Sequence, residues 1–132
     1  MCFVPTWGSG WKLGEDTAIF TVENARTYGR FIGERYRDNA IIWILGGDQN
    51  IESEEEHAII EAMALGLKEG DGGTHLITFH PRGPGRSAEF LHQAEWLDFN
   101  MIQSWSIGKG NEMDTRDDYL RIPAKPALLA EP

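Results

Sequence analysis

Two carboxylates stand where an apolar run gives way to a polar end. Asp48 follows the run 40–45 (AIIWIL) and the pair Gly46-Gly47, and Glu131 follows the run 125–130 (KPALLA). Two carboxylates at the ends of different strands are the minimal equipment for cleaving a glycosidic bond. One protonates the leaving oxygen, and the other attacks the anomeric carbon or activates water. The acid of such a pair must keep its proton at the working pH, which burial or a neighbouring carboxylate achieves. Each residue also has a plainer role. An Asp after a strand equally serves to cap the next turn, and Glu131 sits where the sequence stops and can simply be solvated.

The other run ends carry groups suited to a polar ligand. Trp7, Asn50, His80, Gln103 and Trp105 all fall there. Flat indoles pack against the apolar faces of sugar rings, and their N–H donates to hydroxyls. Trp7, Trp11 and Trp105 lie beside strand ends and suit that role, although packing under a loop would also place a Trp there. Trp43 and Trp96 occupy periodic positions that predict core. His80 offers a donor to a substrate hydroxyl, or serves as a satisfied structural histidine. The block Glu54-Glu55-Glu56-His57 resembles a ligand set, but acidic residues at a helix start are favoured by the helix dipole. No metal is expected there. The loop 82–86 (RGPGR) precedes a helix but lacks the GxxxxGK[ST] pattern of a phosphate cradle, so no cofactor is expected.

These residues need a scaffold that gathers strand ends. Hydrophobic patterning predicts strands starting near 1, 40, 75, 98 and 125, separated by helices over about 21–37, 54–69, 87–97 and 115–122. Thr21 and Ser87 are read as N-caps, and Ser53 with Glu56 as a capping box. Val22, Ala25, Tyr28, Ile32 and Tyr36 form the expected buried stripe of the first helix, and Ile59, Ala62, Met63 and Gly66 that of the second. The run 40–45 is apolar throughout, as in a strand buried on both faces. Strands alternating with helices and without strand doublets imply an α/β fold with a parallel sheet and right-handed crossovers. The repeat of about 31 residues matches one unit of a (β/α)8 barrel of about 250 residues, and also suits a doubly wound open sheet. Period-two alternation puts Asp48 on the face of Gly46, Ile44 and Ile42, and Glu131 on that of Leu129 and Ala127. In parallel α/β folds the functional groups collect at the carboxyl ends of the strands.

Composition narrows the partners. Among 132 residues, 12 Lys and Arg face 21 Asp and Glu, for a net charge of −9. Such a surface repels phosphate backbones and anionic membranes, so neither nucleic acid nor a membrane is expected as partner. Cys2 is the single cysteine, which excludes a disulfide framework and a Cys-based zinc site. No run approaches the ~20 apolar residues of a membrane span, and no leader is visible at the start.

The runs AIIWILGGDQN (40–50), HLITFHP (75–81), EWLDFNMIQS (95–104) and KPALLAEP (125–132) together resemble the apiosidase-like glycoside hydrolases. The segment ENARTYGRFIGERYRD (23–38) fits the helix that precedes the GGD strand of that family. The resemblance covers nearly the whole chain, in order. It implies a (β/α)8 TIM barrel of which this chain forms roughly strands three to seven, a single fragment of a catalytic domain truncated at both ends. It further implies Asp48 as general acid/base, Glu131 as nucleophile, a retaining mechanism, release of apiose from plant pectic side chains, and a secreted or periplasmic location. Trp105-Ser106 depart from the Gly-His of that family. Two other readings follow from the residues alone. One is a carbohydrate-binding α/β module without catalysis. The other is an inactive five-strand piece whose open sheet edges invite self-association.

Overall fold

The computed structural model describes residues 1–104 and 110–131. In chain order the elements are β1 (Cys2–Phe3), a 3-10 turn (Gly8–Gly10), α1 (Val22–Arg35), β2 (Ile42–Leu45), α2 (Glu54–Asp71), β3 (Ile77–Phe79), β4 (Gly85–Arg86), α3 (Ala88–Leu91), β5 (Asn100–Gln103), α4 (Gly110–Tyr119) and β6 (Ala127–Glu131). β1, β2 and β3 pair in parallel, as do β5 and β6. Between β3 and β5 a side chain completes the seam. Asp98 N donates to the Ile77 carbonyl at 2.9 Å, and Ile77 N donates to Asp98 Oδ2 at 2.7 Å. Thr78 Oγ1 donates to the Phe99 carbonyl at 2.7 Å. The contacts advance in step along both segments, so β1, β2, β3, β5 and β6 all run the same way. Their carboxyl ends share one rim, as expected for a partial α/β barrel.

Three differences from the sequence expectation concern the stretch 80–97. The pattern suggested strands alternating with helices in a parallel sheet, yet β4 follows β3 with no helix between and pairs antiparallel with β5 through Gly85↔Gln103 and Arg86↔Ile102. Two residues, one of them Gly, leave no period to detect. The third helix ends at Leu91 rather than near 97. Ser87 is itself helical and does not cap; its Oγ accepts from Met101 N at 2.9 Å instead. Downstream, Lys125 Nζ donates to the carbonyls of Ala94 and Leu97 at 2.7 and 2.6 Å. Those turns are therefore tied to the strand entry rather than to a further helical turn.

α1 begins as expected. Thr21 accepts from Asn24 N, and Asn24 Oδ1 accepts from Thr21 N at 2.7 Å, a full capping box. Its buried face is Ala25, Gly29, Ile32 and Gly33, while Val22 is exposed, so the stripe is rotated from the one expected. Glycines cause the rotation. A Cβ at Gly29 or Gly33 would collide with the α2 carbonyls of Met63 and Leu67, and a Cβ at Gly66 or Gly70 with those of Arg26 and Arg30. The two helices therefore meet backbone to backbone. Beneath them Trp43 is fully buried, and its Nε1 donates to the buried Asp71 Oδ2 at 2.9 Å.

Candidate active site

β2 stops at Leu45 because the next three residues are left-handed: φ is 95° at Gly46, 72° at Gly47 and 65° at Asp48. Glycine enters that region freely, and aspartate tolerates it better than most residues. Strand alternation therefore ends before Asp48, and the turn itself sets the direction of its side chain. Asp48 is half-buried. Its Oδ1 is buried and has no hydrogen-bond partner among the described residues. A capping aspartate would accept a backbone N–H, so the capping alternative is not what these residues display.

Three neighbours hold the turn. Trp11 Nε1 donates to the Gly46 carbonyl at 2.6 Å, and Gly8 N to the Gly47 carbonyl at 2.9 Å. His80 N donates to the Leu45 carbonyl at 2.7 Å. A Cβ at Gly46 would collide with the His80 carbonyl, and one at Gly47 would meet the Trp7 and Gly8 backbone, so the strand-end pair must be glycine.

Of the other sequence candidates, Trp7, Asn50 and His80 join Asp48 in one contiguous group. Trp7 is 59% exposed and lies against Gly47. Asn50 bridges loops: its Oδ1 accepts from Arg82 N at 2.9 Å, and its carbonyl accepts from Lys12 Nζ at 2.9 Å. His80 is half-buried beside Gly46. Gln103 and Glu131 form a second group on the same rim. Gln103 is buried, and its Cα partners are Gly85 on one side and Glu131 on the other, with a register shift at Ile102/Gln103. Such shifts re-aim side chains at strand ends. Trp105 lies outside the described residues.

Three residues near the turn have roles that the sequence did not assign them. Trp11 is fully buried rather than open to a ligand. Lys12 and Glu56 are buried together and join at 3.2 Å; Lys12 Nζ also reaches Glu52 Oε2 at 2.8 Å. Glu56 accepts in addition from Leu13 N at 3.1 Å and Glu52 N at 2.8 Å. The expected capping box is thus half formed. Ser53 Oγ accepts from Glu56 N at 3.2 Å, but the Glu56 carboxylate serves Lys12 and two loop amides. Lys12 holds the Glu52 carboxyl below its usual range, by hydrogen bond first and charge second. A lysine within an irregular Gly-rich stretch was the only hint of this ion pair. Among the described residues no three His, Cys, Asp or Glu side chains converge to hold a metal ion.

The entire chain, residues 1–132, matches the family described as Apiosidase-like, catalytic domain. No curated protein matches it. It is similar to a solved structure described as a glycoside hydrolase, with 36% identity and a TM-score of 0.80, covering 98% of this chain and 32% of that one. It is also similar to a crystal structure of a glycoside hydrolase family 5 protein from Bacteroides vulgatus ATCC 8482. There the identity is 35% and the TM-score 0.80, covering 99% of this chain and 30% of that one. The chain thus spans about a third of the length of these structures, and it belongs to the apiosidase-like family of glycoside hydrolase catalytic domains.

Proposed function

We propose that this chain is the central part, roughly strands three to seven, of a retaining (β/α)8 glycosidase that releases apiose from plant cell-wall polysaccharide. Asp48 is its general acid/base and Glu131 its nucleophile. The observation that carries the reading is the buried, unpartnered Oδ1 of Asp48, held on a left-handed turn at the strand rim. A buried carboxyl oxygen without a hydrogen-bond partner is rare in a purely structural position and is the mark of a functional one. Glu131 supports the pairing by its place on the same rim, opposite Gln103 in the β5–β6 ladder.

In this mechanism the Asp48 carboxyl protonates the departing oxygen while the Glu131 carboxylate attacks the anomeric carbon. The resulting glycosyl-enzyme is hydrolysed by water that Asp48, now a carboxylate, deprotonates. The two carboxyl groups then lie about 5–5.5 Å apart in the complete barrel; about 6.5–9.5 Å would mean inversion. Trp7 supplies an exposed indole for the sugar face, and Asn50, His80, Gln103 and Trp105 supply polar and aromatic contacts around it. The 132-residue chain alone is inactive, because its pocket has only part of its wall.

The test is hydrolysis of phenyl apioside by the complete enzyme. Full-length protein is expected to turn it over, and Glu131→Gln to abolish turnover. Unchanged activity in Glu131→Gln removes it from the mechanism. Sugar binding without hydrolysis, indifferent to Asp48→Asn, identifies a binding module instead.

A further inference from the structure

We infer that Trp11 is a positioning residue for Asp48: its indole N–H fixes the Gly46 carbonyl and, through it, the turn that presents the carboxylate. The inference rests on the reading of Asp48 as acid/base. Trp11 is fully buried, so it cannot be a sugar platform, and its N–H is spent on one acceptor at 2.6 Å. That distance is shorter than the common N–H···O separation of about 2.9–3.0 Å. The ring has little freedom to swing. It packs edge-on against Phe79, with centroids 6.1 Å apart, and Phe79 is paired with Leu45, the last residue of β2. The backbone on either side is also held: Trp11 N donates to the Gly8 carbonyl at 3.2 Å, and Lys12 is clamped by Glu56 and Asn50.

The Gly46 carbonyl is the sensitive point. Its direction sets the peptide plane between two glycines, and two consecutive glycines have the widest backbone freedom available. With the indole N–H in place, the Gly46–Gly47 peptide has one orientation, and Asp48 follows at φ 65°. Without it, the turn keeps only the Gly8 and His80 amide bonds on its flanks, and the Gly46 carbonyl between them loses the contact that holds the carboxyl in line. A misplacement of about 1 Å in a catalytic group costs on the order of a hundredfold in rate.

The test uses the complete enzyme and two aryl apiosides. Phenol is a poor leaving group and needs the proton; dinitrophenol departs without it. Trp11→Phe is expected to lower kcat/KM for phenyl apioside by about tenfold or more and to leave dinitrophenyl apioside within about twofold. In an Asp48→Asn background the same substitution is expected to add no further loss on phenyl apioside. Equal losses on both substrates, or a further loss in the Asn background, would overturn the inference and reduce Trp11 to ordinary packing. If the Phe variant does not fold, benzothienylalanine at position 11 keeps the ring shape, deletes the N–H and faces the same criteria. Full phenyl apioside activity in Asp48→Asn overturns the acid/base reading and this inference with it. Activity lost in Asp48→Asn but kept in Trp11→Phe overturns the inference alone.

Discussion

Asp48 and Asp118 each keep one buried oxygen without a hydrogen-bond partner among the described residues, but Asp118 also has two arginines beside it, and each predicts a different measurement. Asp48 has one oxygen buried and unpartnered on a left-handed turn. General acid catalysis is worth about 10²–10⁴-fold, so Asp48→Asn in the complete enzyme should lower kcat/KM on phenyl apioside by that order. A loss below about twofold would exclude the role. Asp118 is fully buried in α4, with Arg121 Nε at 3.2 Å and Arg86 Nη1 at 3.5 Å. Burial pushes its carboxyl above the usual aspartate range, against the opposing pull of Arg86 and Arg121. A raised folded value means that the fold favours the protonated form. The stabilisation is complete below the ordinary aspartate value and is lost as pH rises through the raised one. Asp118→Asn is locked in the neutral form, so its urea midpoint relative to the parent should move in its favour as pH rises through that window. A difference that is flat with pH, or moves the other way, contradicts this account.

At the scale of elements, the α1–α2 contact and the strand entry at Lys125 make the sharpest predictions. Ala in place of a helical glycine gains roughly 0.5–1 kcal/mol in backbone terms. At Gly66 the new Cβ would meet the Arg26 carbonyl, a backbone atom that cannot turn aside. Overpacking of this kind costs about 1–3 kcal/mol, so Gly66→Ala should lower the thermal midpoint despite its better helix propensity. A raised midpoint would show that the helices slide apart freely. Lys125→Met takes the donor from the Leu97 carbonyl and leaves the Ala94 carbonyl with Leu97 N alone, and should cost about 1–3 kcal/mol in urea unfolding.

The strands and helices with a clean period were legible: β2, α1 and α2 fall where the apolar spacing puts them, and Thr21 caps as read. What the sequence did not display depends on contacts between distant segments. Ser87 serves Met101, Glu56 serves Lys12, and Lys125 serves Ala94 and Leu97. None of these pairings leaves a local pattern. In the candidate site the Gly-Gly-Asp turn was visible as a type of residue at a strand end. Its left-handed backbone and its Trp11 clamp were not, because both arise from chain brought back by the fold.

At the scale of the whole molecule, five parallel strands bring their ends to one rim, and that rim carries the candidate residues. Among the described residues β1 and β6 each have a single neighbouring strand, and Ile122, Leu120 and Leu128 near β6 are exposed. Unpaired edges template pairing between chains. We therefore expect the 132-residue chain to self-associate in sedimentation experiments, against the repulsion of its −9 charge; a strictly monomeric chain across concentration would refute this. The central claim is that a covalent glycosyl-enzyme forms on Glu131 and that Asp48 serves it. The most direct measurement incubates the complete enzyme with a fluorinated dinitrophenyl apioside and maps the labelled peptide by mass spectrometry. The account predicts one sugar per enzyme, attached to Glu131. Attachment to another carboxylate, or turnover of inverted stereochemistry with no adduct, would contradict it.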